Sequence, residues 1–269
     1  MDPTDKRAIG TPNSTPIEYL VLVCDLGGHR SRAAHQAVEN AVAPRAVRCE
    51  EIPDGLMVTV PVGGMRERRA LARTVWRALR RYLPGVPVTV AGGATWHLRG
   101  RESVAVLQAR QTLVAGQAIC GSGTVILMDD LGAMAFLIGR PVAHLRYFYA
   151  DVLGPVMEMD DIRAEALLET TSIYLRLSSL ADTARLLNLH RNTVQQRLAR
   201  IAALTGLDPH DPDAKLTLQT AIMARHLVAL LTDTSRAVAR TRPALVDPSD
   251  PHLFPAPAAA GPRRAPTAA

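Results

Sequence analysis

A chain of 269 residues, 48% of them hydrophobic and with a net charge of +6, is long enough for one large or two ordinary domains with a real core, which excludes disorder throughout. Its pI near 9.7 favours an anionic partner, although the same balance also serves solubility. No run approaches the ~20 apolar residues of a membrane span, and the start MDPTDKRAIG holds no apolar leader segment, so a soluble cytoplasmic protein is expected.

In chain order, residues 1–16 are polar, with Pro3, Pro12 and Pro16, and are expected as a disordered tail. Residues 19–24 form an apolar strand, and 32–42 place Ala33, Ala34, Ala37, Val38, Ala41 and Val42 at helical spacing. Two strands, 46–51 and 56–60, flank the hairpin-turn signal Pro53, Asp54, Gly55. The helix predicted over 65–83 turns Leu71, Val75, Trp76, Leu79 and Tyr82 inward. Its Arg66, Arg68, Arg69, Arg73, Arg77, Arg80 and Arg81 face only Glu67, a run that reads as a solvated face more readily than as a surface for DNA flanks or a phosphorylated effector. A strand over 86–90 ending at Gly92 and Gly93, a helix over 102–114 and a strand over 125–128 complete the order β-α-β-β-α-β-α-β. That order suits an α/β sandwich with helices on one face. The glycine pairs after the strands complete neither G-x-G-x-x-G nor a P-loop and read as turns, while Asp129 and Asp130 read as a strand end and helix cap.

Beyond this, 141–152 is helical with Leu145, Phe148, Tyr149 and Val152 on one side, and a longer helix over 162–177 follows Gly154 and Pro155. These helices join the two halves; their aromatic faces suit either a subunit interface or ordinary core. The sequence then reads SSLADTARLLNLHRNTVQQRLARIAALTG from Ser178. Ser179 can cap a short helix with Asp182 three residues on, with Ala181, Ala184, Leu186 and Leu187 inward. Asn188, Leu189 and His190 break that run, and Val194, Leu198, Ile201 and Leu204 define the core face of a second helix. Arg191, Asn192, Thr193, Gln195, Gln196 and Arg197 then lie near its exposed start, where a helix-turn-helix meets the major groove. Arg176, Arg185, Arg191, Arg197 and Arg200 are balanced by Asp182 alone, the surplus that phosphate contacts need. A plain helical hairpin with a solvated arginine face has the same periodicity. Asp211 and Pro212 start a last helix reaching 231, whose Leu216, Ile222, Leu227 and Leu230 would cover the hairpin from behind, and the Pro- and Ala-rich stretch 233–269 is expected as a second disordered tail.

Cys24, Cys49 and Cys120 are odd in number and far apart, and they read as reduced, buried small hydrophobes. The histidines show no metal-ligand spacing, so neither a metal nor a cofactor is expected.

The stretch LHRNTVQQRLARIAALTGLD, followed by DP and an apolar helix, resembles the C-terminal helix-turn-helix of the PucR/CdaR group of bacterial transcriptional regulators. Leu187, His190, Arg191, Asn192, Thr193, Val194, Arg197, Leu198, Arg200, Ile201, Thr205 and Gly206 carry the resemblance, with the helix over 167–177 upstream and Asp211, Pro212 and Leu216 downstream. Gln195 and Gln196 stand where the group commonly has Arg and Tyr, which removes a phosphate-binding charge and an aromatic ring and implies altered or weaker DNA recognition. The segment between Leu175 and Ala184 is also about one residue shorter than usual. In that group a degenerate GGDEF-like domain precedes the DNA-binding unit, which VTVAGGATW, ESVAVLQARQ and VILMDDLG resemble more faintly. An active cyclase carries glycines and carboxylates at the central hairpin, where this chain has Pro53 to Met57; Asp25 alone makes no two-metal site and reads as a strand-end cap, so no enzyme activity is expected.

The resulting expectation is a sequence-specific DNA-binding regulator: an α/β (α+β) domain over 17–140 with helices on a mostly antiparallel sheet, a linker helix over 141–160, and an all-α helix-turn-helix domain over 161–232. His190, Arg191 and Asn192 would form the turn and helix start. Arg191, Asn192, Thr193, Gln195 and Gln196 would meet base edges, and Arg197 and Arg200 phosphates. The partners implied are double-stranded DNA, a second copy in a homo-dimer or higher homo-oligomer, and a small-molecule effector that no residue pattern identifies. A nucleotide-processing enzyme and a protein-binding adaptor using the helical hairpin are the competing readings.

Overall fold

The computed structural model describes residues 18–29, 32–53, 55–97 and 102–233. Asp54 and the tails expected over 1–16 and 233–269, apart from Asp233, lie outside them. Two compact units divide the chain, one within Met1–Leu113 and Ser122–Met128, the other within Val114–Gly121 and Asp129–Ala269.

β1 (Glu18–Asp25), α1 (Arg32–Val42), β2 (Arg48–Ile52), β3 (Gly55–Val62), α2 (Met65–Tyr82), β4 (Thr89–Gly92), β5 (Trp96–His97), α3 (Glu102–Cys120) and β6 (Val125–Leu127) follow one another, and all but the end of α3 from Val114 onward belong to the first unit. The main sheet order is β2-β3-β1-β4-β6, with the short β5 pairing β1. β1 lies antiparallel to β3 and β4, whereas β4 and β6 run parallel. Central β1 is apolar at successive positions because both of its faces are covered. Leu20, Leu22 and Cys24 pack with α1 and α2, while Val21 and Val23 pack with Ala105, Ala109 and Leu113 of α3. Helices therefore cover both faces, which corrects the one-faced sandwich expected from element order. α3 approaches the sheet closely at Gly93, where an added Cβ would lie 2.8 Å from that of Gln108. At the β2–β3 turn, Gly55 has φ 137° and a Cβ there would sit 2.1 Å from the Cys24 carbonyl oxygen, so glycine is required.

Several boundaries move for physical reasons. β4 starts after Pro87, which has no N–H to donate to a ladder. α3 continues to Cys120 and stops at Gly121, in the left-handed region at φ 83°. Tyr82, expected inward, is exposed, and Arg68, expected on the solvated face, is buried with Nη1 donating to the Gly93 carbonyl at 3.3 Å. Cys24 is buried, but Cys120 is exposed, unlike the small core residue expected there. Asp25 accepts a hydrogen bond from the Gly27 amide at 2.9 Å, the strand-end cap anticipated for it.

Beyond the end of α3, the second unit contains most of a 3₁₀ segment at Met128–Phe136, from Asp129 onward, and then α4 (Val142–Met157), α5 (Asp161–Leu177), α6 (Leu180–Leu186), α7 (Arg191–Thr205) and α8 (Pro212–Asp233). α4 runs through Gly154 and Pro155 instead of breaking there, with Pro155 forgoing the bond that an N–H would make to the carbonyl one turn back. Leu153 and Val156 of α4, Leu167, Leu168 and Leu175 of α5, Ala184 of α6, Val194, Leu198 and Ile201 of α7, and Leu218 and Ala221 of α8 share one core. Two expected core leucines point outward instead: Leu186 is 62% exposed and Leu216 66%. In α6 the inward face is Leu180, Thr183, Ala184 and Leu187, with Ala181 exposed, and in α8 it begins Ala214, Leu218, Ala221. Thr183 can be buried because its hydroxyl donates to the Ser179 carbonyl at 2.7 Å.

Candidate nucleic-acid interface

The α6–α7 pair is set by its caps. Ser179 Oγ accepts from the Asp182 amide at 3.2 Å, the cap expected at that position, and the Asp182 carboxylate pairs with Arg185 one turn on. At the other end of α6, Asn188 has φ 52°, the Leu189 amide donates to the Ala184 carbonyl at 2.9 Å, and the Asn188 amide donates to that of Arg185 at 3.2 Å. These bonds form a Schellman motif with asparagine in the left-handed position that glycine usually takes. The chain then enters α7 through His190, whose Nδ1 accepts from the Asn192 amide at 3.3 Å. An N-cap of this kind answers one orphan N–H at the helix start.

Burial of Val194, Leu198 and Ile201 fixes the rotation of α7 about its axis. Each such side chain contributes about 1.5–3 kcal/mol when removed from water. With roughly 100° per residue, the arc opposite them holds Asn192, Gln195, Gln196, Ala199 and Ala203, all exposed, with Arg200 exposed at one margin and Arg191 exposed at the helix start, nearer the buried face. Thr193 is half-buried at the edge. Ala199 was not singled out from the sequence, yet the same angular count finds it, and its small side chain leaves room for close approach.

Arg197 is held elsewhere. It is half-buried, and its Nη1 donates to Thr170 Oγ1 at 2.9 Å and to the Ala166 carbonyl at 3.3 Å, both on α5. Thr170 is buried, and its own hydroxyl donates to the Ala166 carbonyl at 2.7 Å, so three polar groups close a small network between α5 and α7. The head group expected to reach phosphate is therefore engaged inside the unit.

The turn after α7 is also tied back. Gly206 ends the helix at φ 73°, and Asp211 Oδ1 accepts from the amides of Asp213 and Ala214 at 3.1 and 2.9 Å, capping α8. Burial raises the Tyr174 phenol pKa, with the Asp208 charge adding to the effect, so the phenol keeps its proton, and its oxygen shares a hydrogen bond with His210 Nδ1 at 2.5 Å. The rings meet edge-on, 5.1 Å apart. Lys215 bonds Ser178, the left-handed residue that ends α5. Exposed polar groups on α7 thus project from a helix braced on α4, α5 and α6. Among the described residues, no cluster of three or more His, Cys, Asp or Glu side chains is arranged to hold a metal, and no helix is long and apolar enough to cross a membrane.

Residues 167–224 match the PucR C-terminal helix-turn-helix domain. Over 90 residues the chain is 33% identical to the purine catabolism regulatory protein of Bacillus subtilis (strain 168), a match covering 33% of this chain and 17% of that protein. The chain thus spans about a sixth of the length of that curated relative. A crystal structure of a regulator of polyketide synthase expression from Bifidobacterium adolescentis aligns over 78% of this chain and 80% of its own, at 24% identity and a TM-score of 0.38.

Proposed function

We propose that this chain is a cytoplasmic, sequence-specific DNA-binding transcriptional regulator of the PucR type, reading the major groove with α7. The observation that carries the proposal is the outward arc of Asn192, Gln195, Gln196 and Ala199 on a helix braced as a helix-turn-helix of that family. Asn and Gln amides match the adenine edge bidentately, Arg191 suits guanine, and the Thr193 methyl suits thymine at the edge of the arc. His190 starts the helix, Arg200 meets phosphate, and Arg197 holds α7 on α5 instead of touching the duplex. Gln195 and Gln196, in place of the Arg and Tyr common in the group, shift the affinity from phosphate and stacking contacts toward base hydrogen bonds. The α/β unit we assign as a degenerate GGDEF-like domain that serves dimerisation or the response to a small-molecule effector, without catalysis.

The test is retention of genomic DNA fragments by the purified chain at low salt, followed by sequencing. Enrichment of a shared motif is expected. Absence of any retained duplex would overturn the proposal and favour a protein-binding adaptor.

A further inference from the structure

The arginines of α2 sort by direction. At roughly 100° per residue, Arg66, Arg69, Arg73, Arg77, Arg80 and Arg81 fall within an arc of about 120°, opposite the buried Leu71, Ala72, Val75 and Leu79. The other residue within that arc is Ala70. Arg66, Arg73, Arg77, Arg80 and Arg81 are exposed, and Arg69 is half-buried. The remaining charged residues of the helix are turned away. Arg68 is 2% exposed and directed to the Gly93 carbonyl, while Glu67 accepts from the Gly63 amide at 2.6 Å and pairs with Arg45. Those two partners hold the Glu67 carboxyl below the usual carboxylate range, so the one acid of α2 is already committed off the stripe.

The stripe runs for about 22 Å at 1.5 Å per residue. Within it the exposed Arg73, Arg77, Arg80 and Arg81 include pairs three and four apart that repel one another, and no carboxylate of α2 lies among them. Arg80 is partly fixed by lying 4.7 Å from the Trp76 ring centroid. A polyanion would remove the repulsion, and guanidinium forks match phosphate oxygens. A duplex offers about one phosphate charge per 1.7 Å of axis, enough to engage the whole stripe. The arc holds no Asn or Gln with which to read bases, so its contacts would be blind to sequence.

We propose that the exposed arginine face of α2 is a second DNA-binding surface, which grips the phosphate backbone of double-stranded DNA without sequence preference. The proposal rests on the DNA-binding reading of α7, and the two can fail separately.

The experiment measures binding of the full chain to a fluorescent duplex of arbitrary sequence across a salt series. The variant Arg66→Gln, Arg73→Gln, Arg77→Gln should lower the slope of log K against log salt by about 2.7, taking about 0.9 per phosphate, while selection from a random pool returns the same motif as wild type. The matching Arg→Lys triple should keep the wild-type slope. Should the Gln triple lose its helical circular dichroism, Arg73→Gln and Arg77→Gln taken singly should each lower the slope by about 0.9. Unchanged slopes in a chain that still binds duplex would overturn the stripe and leave α7 intact. Stronger stripe-dependent binding to single-stranded RNA of the same length would overturn the assignment to double-stranded DNA. A wild-type chain that binds no duplex at any salt would overturn both readings.

Discussion

Replacing Arg197 by Ala separates a brace from a phosphate contact. In the structure its Nη1 is shared between Thr170 Oγ1 and the Ala166 carbonyl, and its loss leaves the Thr170 oxygen without a donor in a buried position. A hydrogen bond from a charged donor contributes about 1.5–3 kcal/mol, and half-burial of Arg197 brings the expected loss to about 1–2 kcal/mol. At 2–4 °C per kcal/mol the helical unit should melt roughly 2–8 °C lower. Thr170→Val removes the same contact from the other side, so the double variant should be less destabilised than the sum of the singles. The assay pairs thermal melts of the four forms with salt titrations of duplex binding. The slope of log K against log salt should stay within a few tenths of wild type in Arg197→Ala. A drop of about 0.9 with an unchanged melting temperature would refute the reasoning and return Arg197 to the phosphate contacts.

Leu198→Ala should cost about 2–5 kcal/mol, since Leu198 is fully enclosed between helices, and urea denaturation reads the loss directly. Asn188→Val should destabilise by about 1–2 kcal/mol because a β-branched residue is forced into the left-handed region, whereas Asn188→Gly should leave stability close to wild type; equal melts for the two would contradict the turn geometry. Thiol labelling at pH 8 should modify Cys120 first, then Cys49, with Cys24 reacting only in denaturant. Burial, then the neighbouring Glu39 charge, pushes the Cys49 thiol up to about 11, and Cys24 is enclosed completely and raised further; early labelling of Cys24 would show that the sheet opens there.

What could be seen in the sequence followed from short-range physics. Ser179 and Asp211 cap because their oxygens sit two or three residues ahead of free amides, and Val194, Leu198 and Ile201 share a face because 3.6 residues make a turn. What stayed hidden depends on partners distant in the chain. Element order cannot say which face of a sheet a helix takes, so the place of α3 opposite α1 and α2 had to come from Val21 and Val23 packing on Ala105 and Ala109. Leucine reads as core by composition, yet Leu186 and Leu216 lie on the far sides of α6 and α8, while Thr183 is buried because the Ser179 carbonyl satisfies it. The long side chains were the hardest to place. Arg68 and Arg197 look like their solvated neighbours in sequence, and only the carbonyls of Gly93 and Ala166 reveal where they go. On α7 the exposed arc was legible, but the division between groups facing outward and groups bracing α5 was not.

The most direct measurement is selection of binding sites from a random duplex pool by the wild-type chain and by the double variant Asn192→Ala, Gln196→Ala. Wild type should return a single motif, and the variant should hold duplex DNA with similar salt dependence while returning none. Recovery of the same motif by the variant would mean that α7 does not read the bases.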